Sequence, residues 1–149
     1  DNSDNQLVVS GSSESIQKFS DYLNTKKIKN IKLQVSAPFH CKLMNNATRV
    51  MEKEIKKLEF KNFENTLISN VTAKEIKDID ILKNLLIKQI ESKVRWRESI
   101  KYMIDYGVSS FIEIGPGKVL SGLIKRINRD VKVSAINKEE DISTISIND

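Results

Sequence analysis

The single histidine of the sequence, His40, is the side chain best suited to acid–base chemistry. Histidine gains and loses a proton near neutral pH, and enzymes use it more often than any other residue for proton transfer. His40 lies in the run SAPFHC, after a predicted strand and a proline turn. Active sites of open α/β sheets form where strands end in this way. The position predicts either a catalytic base or, as the ordinary alternative, a surface or core histidine with no chemical role.

A nucleophilic pair of Cys41 with His40 has less support. Side chains of neighbouring residues on a helix point about 100° apart and do not face each other. We therefore interpret Cys41 as a partly buried packing residue. One cysteine and one histidine cannot form a disulfide within the chain or a multi-cysteine zinc site, and they indicate a reducing compartment. No two acidic residues have a spacing that suggests the paired carboxylates of a glycosidase.

The run EIGPGKVL contains glycines that invite comparison with a phosphate-binding loop. That motif requires a glycine five residues before Gly117 and a serine or threonine after Lys118, where Ile112 and Val119 stand instead. Two interpretations stay open. The run is either a plain strand-to-helix turn or a helix N-terminus whose partial positive charge contributes to the site near His40.

A net charge of +5 allows an anionic partner, and its distribution decides which kind. Most lysines alternate with glutamate and isoleucine in helical patterns, and aromatic residues are few, which argues against nucleic-acid binding. The densest basic cluster away from an apolar face is Lys125, Arg126 and Arg129. It predicts a solvated helix end or, alternatively, a docking patch. No apolar run reaches the length of a membrane span, and no signal peptide is recognisable.

The elements that must position these residues alternate between short strands and amphipathic helices. Strands are predicted at 6–10, 31–35, 66–71, 110–114 and 131–136. Helices are predicted after Ser12, just after Pro38, from about Ile79, at 96–106 and after Gly117, with Gly107 as a helix C-cap. Gln89 falls on an otherwise apolar helix face. This alternation predicts an α/β fold whose parallel or mixed sheet is covered by helices.

Five segments together resemble the malonyl-CoA:acyl-carrier-protein transacylase family, both in their residues and in their order along the chain. They are LVVSG, SAPFHCKLM, SNV, IKQIESKVRWRESI and FIEIGPGKVLSGLIKRI. The resemblance covers nearly the whole chain and is closer to discrete bacterial or plastid enzymes than to the acyltransferase domains of polyketide and animal fatty-acid synthases. It implies an α/β-hydrolase-like acyltransferase fold, with residues 1–35 as the end of an inserted ferredoxin-like small subdomain and 36–149 as the C-terminal part of the large subdomain.

The resemblance also implies roles for individual residues. His40 corresponds to the base that activates a serine nucleophile and later the thiol of the carrier protein. Gln89 corresponds to the residue whose main-chain carbonyl orients that histidine, with a buried, self-satisfied glutamine as the alternative. Asn2, Gln6 and Asn70 fall in segments near the substrate cleft. Lys125 and Arg126 match a basic pair that meets the acidic carrier protein.

The implied reaction is malonyl transfer from malonyl-CoA to the phosphopantetheine thiol of acyl carrier protein through an acyl-serine, in fatty acid biosynthesis. No cofactor of the protein's own is expected, since phosphopantetheine belongs to the partner. The sequence departs from the family in lacking a G-x-S-x-G nucleophile motif. We therefore expect a missing N-terminal half of the same protein, or a separate chain, to supply the serine and this segment alone to be inactive. A non-catalytic carrier-protein-binding module is the alternative. The expected location is the bacterial cytoplasm, or a plastid for a eukaryotic source.

Overall fold

A computed structural model describes residues 1–145 as a mixed α/β structure with two compact units. One unit combines residues 1–7 with the described residues from Arg95 onward, and the other runs from Val8 to Val94. The α/β class predicted from the sequence is confirmed. The subdomain boundary near residue 35 that the resemblance implies stays a prediction.

The unit from Val8 to Val94 contains three α-helices, a short 3-10 helix and one hairpin. Its elements are α1 (Ser13–Thr25), a short 3-10 helix (Lys42–Met44), α2 (Asn45–Lys57), β1 (Leu67–Ile68), β2 (Glu75–Ile76) and α3 (Ile79–Lys88). The strands β1 and β2 pair in antiparallel register. Helices α1 and α3 begin after side-chain caps: Ser12 accepts from the Ser15 amide at 3.2 Å and Asp78 from the Ile81 amide at 2.7 Å. Helix α2 packs on α3.

The second unit is a helix followed by a strand-helix-strand crossover. Its elements are α4 (Trp96–Asp105), β3 (Ser110–Ile114), α5 (Val119–Ile127), β4 (Lys132–Ile136) and a 3-10 helix (Glu139–Thr144). Strands β3 and β4 are parallel, in register from Ser110 opposite Lys132 to Ile114 opposite Ile136. The core between α4, α5 and the strands is centred on Ile100, Ile124 and Val131.

The predicted left-handed glycine at the end of α4 is confirmed at Gly107, one residue beyond the C-cap Tyr106. Gly107 has a φ of 93°, which a residue with a Cβ rarely adopts. Its amide donates to the Ile104 carbonyl at 2.8 Å, and the Val108 amide donates to the Met103 carbonyl at 3.0 Å. These bonds satisfy carbonyls at the helix end and direct the chain into β3.

Two of the predicted strands, at 6–10 and 31–35, are wrong as assignments of secondary structure. Both segments are apolar, but among the described residues neither pairs with another strand; the only bridge nearby joins Ser3 to Gln6. A strand requires a neighbour to take its main-chain hydrogen bonds. Without one, apolar side chains face solvent: Leu7 is 72% exposed and Ile31 is 73% exposed.

Three other predicted elements have different bounds in the structure. The strand at 66–71 shortens to β1 because the Ser69 hydroxyl accepts from the Val71 amide at 3.1 Å and turns the chain. The helix expected just after Pro38 begins only at the 3-10 turn of Lys42, and α2 proper begins at Asn45. Helix α3 ends at Lys88, so Gln89 is its C-cap. No helix of the described chain is long and apolar enough to cross a membrane.

Candidate active site

His40 lies in a turn between the unpaired segment 31–35 and the 3-10 helix Lys42–Met44 that precedes α2. Its backbone φ is 62°, in the left-handed region, which costs a residue with a Cβ about 1–2 kcal/mol. The turn is held locally: the Phe39 amide donates to the Ala37 carbonyl at 2.9 Å, and the Cys41 thiol donates to the Pro38 carbonyl at 3.2 Å. Strained residues of this kind cluster at functional sites. The turn leaves the His40 ring exposed.

The imidazole of His40 meets a main-chain oxygen at the end of α3. Its Nδ1 lies 3.0 Å from the carbonyl oxygen of Gln89. The last carbonyls of a helix have no partner within the helix, so they are available to other donors. This is the contact that the resemblance implies, and it depends on the position of the helix end and not on the glutamine side chain.

The hydrogen bond fixes which ring nitrogen of His40 carries the proton. A carbonyl oxygen can only accept, so Nδ1 must be the donor, and in the neutral ring the lone pair then lies on Nε2. No group among residues 1–145 is hydrogen-bonded to Nε2. The arrangement can therefore take a proton from a hydroxyl or thiol brought to the exposed edge of the ring.

A second bond joins the same two segments, and the sequence did not reveal it. The Asn45 side chain, at the first residue of α2, donates to the Glu91 carboxylate at 3.2 Å. It ties the chain five residues after His40 to the chain two residues after Gln89. A single sequence does not indicate that two polar residues 46 positions apart are hydrogen-bonded to each other.

A cavity of about 160 Å³ lies beside the Gln89 helix end. Asn70 and Gln89 are two of the polar residues on its wall, and leucine and isoleucine side chains from β1, β2 and α3 form most of the rest. Gln89 thus takes part in both the histidine contact and the cavity. The structure brings His40, Gln89 and Asn70 into one unit, and the substrate-binding role of Asn70 stays a prediction.

Asn2 and Gln6 belong to the other unit, in a turn at the start of the chain. The Asn2 amide donates to the Gln6 carbonyl at 3.0 Å, and Ser3 and Gln6 form a bridge. The Arg97 guanidinium of α4 binds the carboxylate of Asp4 at 2.8 Å and also that of Asp1. These ion pairs anchor the turn on α4. The substrate-binding roles of Asn2 and Gln6 stay predictions.

Amides of the glycine turn and of the first turn of α5 donate to side chains of the chain itself. The Glu113 carboxylate accepts from the Leu120 amide at 3.1 Å, the Ser121 amide at 2.7 Å and the Ser121 hydroxyl at 2.6 Å. The Gly117 amide donates to the Asn137 side chain. The amides of Gly117, Leu120 and Ser121 are thus occupied by side chains of the chain itself. The plain strand-to-helix turn is favoured over a contribution to the site.

Glu113 makes the stability of this turn depend on pH. Hydrogen bonds from the Ser121 hydroxyl, and then from the Ser121 amide, hold the pKa of the Glu113 carboxyl below its usual value. A carboxyl with a lowered folded pKa stabilises the fold above its unfolded pKa and loses that effect as pH falls through the folded value. We expect Glu113→Gln to lower the melting temperature at pH 7, with a difference from wild type that shrinks below about pH 4.5. Thermal unfolding across pH, with Glu59→Gln as control, checks this; a difference independent of pH would contradict it.

The predicted carrier-protein pair, Lys125 and Arg126, lies in the last turn of α5. The Lys125 ammonium donates to the carbonyls of Arg129 at 3.0 Å and Val131 at 2.7 Å. The Arg126 guanidinium donates to the Gln6 side chain at 3.2 Å. The two neighbours therefore have different local partners. Among the described residues, no group of three or more His, Cys, Asp or Glu side chains could hold a metal ion.

Comparison with known proteins gives close relatives over nearly the whole chain. The malonyl CoA-acyl carrier protein transacylase of Staphylococcus aureus strain COL is 40% identical over 147 residues, 97% of this chain and 47% of the relative. No protein-family model matches the sequence. The chain thus spans about half the length of the curated relatives that it matches.

Solved structures agree with the sequence comparison. An acyl carrier protein S-malonyltransferase from Vibrio cholerae aligns with a TM-score of 0.84 at 34% identity, over 91% of this chain and 45% of that one. The malonyl-transacylase PlMCAT, solved in complex with the type II PKS acyl-carrier protein AntF, aligns with a TM-score of 0.84 at 30% identity, over 90% of this chain and 44% of that one. The acyltransferase fold expected from the resemblance is confirmed.

Proposed function

Because this chain is 40% identical to a malonyl CoA-acyl carrier protein transacylase and spans about half of that protein's length, we propose that it is part of an acyl-carrier-protein S-malonyltransferase. The observation that carries the proposal is the 3.0 Å contact between His40 Nδ1 and the Gln89 carbonyl. It leaves Nε2 as a base at an exposed position. This is the part of a serine–histidine pair that the chain can supply itself.

His40 would act twice in the transfer. First, Nε2 takes the proton of a serine hydroxyl as the serine oxygen attacks the thioester carbonyl of malonyl-CoA, and it returns that proton to the departing CoA sulfur. Second, Nε2 takes the proton of the carrier protein's phosphopantetheine thiol as the sulfur attacks the acyl-serine, and it returns the proton to the serine oxygen. The Gln89 carbonyl keeps its bond to Nδ1–H throughout, so the ring does not rotate between the two steps.

The serine would come from protein outside residues 1–149, since the sequence contains no G-x-S-x-G. The exposed apolar segments support this part of the proposal. Leu7, Ile31 and Val35 are each more than half exposed in segments with strand-forming sequence. Main-chain groups of such segments can pair with strands of an N-terminal half, which would bury these side chains.

The remaining parts of the proposal concern ligands and partners. Acyl carrier protein and the coenzyme A thioester are the two substrates, and the chemistry described requires no cofactor bound to the enzyme. Asn2, Gln6 and Asn70 are proposed to contact substrate. Neither nucleic acid nor a membrane is proposed as a partner. The cytoplasm, or a plastid, is proposed as the location.

The test is malonyl transfer from malonyl-CoA to carrier protein, measured for the 149-residue chain and for the complete protein encoded by its gene. We expect transfer only from the complete protein, with one malonyl group on a serine of the upstream half by mass spectrometry. A complete protein that carries the upstream half and transfers nothing would contradict the enzyme proposal. A gene product without a nucleophilic serine that still binds carrier protein would favour the binding module.

A further inference from the structure

The carbonyl that accepts from His40 belongs to a short turn at the end of α3. In this turn the Ser92 amide donates to the Lys88 carbonyl at 3.0 Å, and the Glu91 amide donates to the same oxygen at 3.3 Å. These amides bind the carbonyl before Gln89, and the Gln89 oxygen accepts from the imidazole. The direction of that oxygen depends on the turn, and helix ends open more easily than helix centres. A contact that holds this turn therefore also holds the base.

The backbone on the histidine side is strained. His40 has a φ of 62°, and a residue with a Cβ keeps such a conformation only where the surrounding structure holds it. A change in this backbone angle would swing the imidazole and lengthen its bond to the Gln89 carbonyl. A single hydrogen bond fixes a distance but permits rotation about its own axis. A second bond near by restricts that rotation.

The second bond joins Asn45 to Glu91. The Asn45 side-chain nitrogen donates to the Glu91 carboxylate at 3.2 Å. Hydrogen bonds to charged groups contribute more than those between neutral groups. Within residues 1–145 no lysine or arginine forms an ion pair with Glu91, so a competing cation does not draw its carboxylate away. The first turn of α2 contains no acid and no side-chain cap, and Glu91 supplies a negative charge at that positive helix end.

The two hydrogen bonds close a small ring. It runs along the chain from His40 to Asn45, crosses to Glu91, and returns through Gln89 to the imidazole. The chain between His40 and Asn45 is short and contains a 3-10 helix, so the position of one residue constrains the other. Closing a second contact so near the first costs little further conformational entropy. Movement of the imidazole away from the Gln89 carbonyl would therefore disturb both bonds.

We propose that Asn45 and Glu91 are positioning residues for the general base. Their hydrogen bond keeps His40 Nδ1 on the Gln89 carbonyl, and it thereby keeps Nε2 as the nitrogen that accepts a proton. This rests on the proposed function and extends its site by a second pair of side chains. The pair acts through the geometry of the ring and not through the negative charge of Glu91.

The tautomer of His40 is the direct readout. It is measured by nitrogen NMR on the complete protein with isotope-labelled histidine, at a pH where the ring is neutral, and the His40 signals are those lost in His40→Ala. We expect the Nδ1–H form in wild type and a mixture of both forms in Asn45→Ala and Glu91→Ala, because the ring is then free to turn. Asn46→Ala is the matched control: it truncates the exposed neighbour on α2 and should keep the wild-type spectrum.

The rate of malonyl transfer by the complete protein should follow the tautomer. We expect kcat of Asn45→Ala and Glu91→Ala to fall about 3- to 10-fold, the factor that corresponds to one ordinary hydrogen bond. KM for malonyl-CoA should stay within about twofold, because a misplaced base slows proton transfer without weakening substrate binding. Glu91→Gln keeps an acceptor oxygen without the charge, so it should lose less than Glu91→Ala.

Exchange of donor and acceptor tests the bond itself. Asn45→Glu alone places two carboxylates opposite each other, and we expect it to lower kcat at least as much as Asn45→Ala. Addition of Glu91→Asn again places an amide opposite a carboxylate, with the same total side-chain length. This double variant should regain the Nδ1–H form and most of the lost activity. The comparison gives a result even where an alanine variant does not fold, because it replaces the bond.

The outcomes separate this inference from the proposed function. Alanine variants of Asn45 and Glu91 with the wild-type tautomer and rate would overturn the positioning role alone. A lower melting temperature and rate with an unchanged tautomer would do the same, since the bond would then be only structural. An exchanged pair that restores neither readout would also overturn it. A complete protein that transfers no malonyl would overturn the proposed function, and the tautomer would still decide whether the pair positions His40.

Discussion

His40→Ala in the complete protein is expected to slow malonyl transfer by about 100- to 10,000-fold, the range typical of losing a general base. The reason is geometric. The Gln89 carbonyl holds Nδ1 at 3.0 Å and leaves Nε2 as the basic nitrogen, whereas alanine provides no proton acceptor. The measurement is single-turnover transfer from malonyl-CoA to carrier protein. The melting temperature, compared with wild type, shows whether the variant is folded.

Gln89→Ala is the matched control for this prediction. The substitution removes the side chain but leaves the main-chain carbonyl that accepts from Nδ1. Because this carbonyl remains, we expect activity within about tenfold of wild type. That loss is smaller than the one expected from removing a general base. A His40→Ala loss smaller than about tenfold would contradict the base role. Loss of activity in Gln89→Ala equal to that in His40→Ala would show that the side chain, and not the carbonyl, is required.

The candidate site could be predicted only in part from residue types. His40 stands out because it is the one histidine and follows a strand and a proline turn. The acceptor at Gln89 could not be found in the same way, because every residue has a main-chain carbonyl and only the end of α3 makes this one available. It was predicted from the family resemblance, which supplies three-dimensional information that a single sequence lacks.

Helices and strands were predicted with different success for a physical reason. The apolar spacing of a helix such as α4 refers to partners three and four residues away, so it is complete within a short segment. A strand is defined by a neighbour elsewhere in the chain. The segments 110–114 and 131–136 have each other, and they form the parallel pair β3 and β4. Among residues 1–145 the segment 31–35 has no partner strand, and the segment 6–10 has only the isolated bridge of Gln6 to Ser3.

The basic cluster shows a further limit of the sequence. Lys125 and Arg126 are adjacent and carry the same charge, so pattern alone gives them the same role. The two carbonyls that bind Lys125 belong to a turn whose shape depends on the side chain of Asn128 and on the burial of Val131. Such a difference appears only after the turn has folded. Neighbouring residues of one charge can therefore have different local partners, main-chain carbonyls for Lys125 and the Gln6 side chain for Arg126.

Ile100→Ala is expected to lower the free energy of unfolding by about 2–5 kcal/mol. Ile100 is 1% exposed at the centre of the core formed with Ile124 and Val131. Truncation removes the burial of several methyl and methylene groups and leaves a cavity that helix α4, packed against α5, can close only in part. Since a domain's total stability is about 5–15 kcal/mol, this single change removes a large share of it.

Denaturant unfolding followed by tryptophan fluorescence measures this effect directly, because the single tryptophan, Trp96, packs against the same core. Ile114→Ala is the matched control: it removes the same atoms from a side chain that is 80% exposed, and we expect a loss below about 1 kcal/mol. A loss for Ile100 as small as that for Ile114 would mean that α4 does not close this core. Helix α4 carries Arg97, which binds Asp4 in the turn that contains Asn2 and Gln6. This turn would then be anchored on a helix that the core does not hold in place.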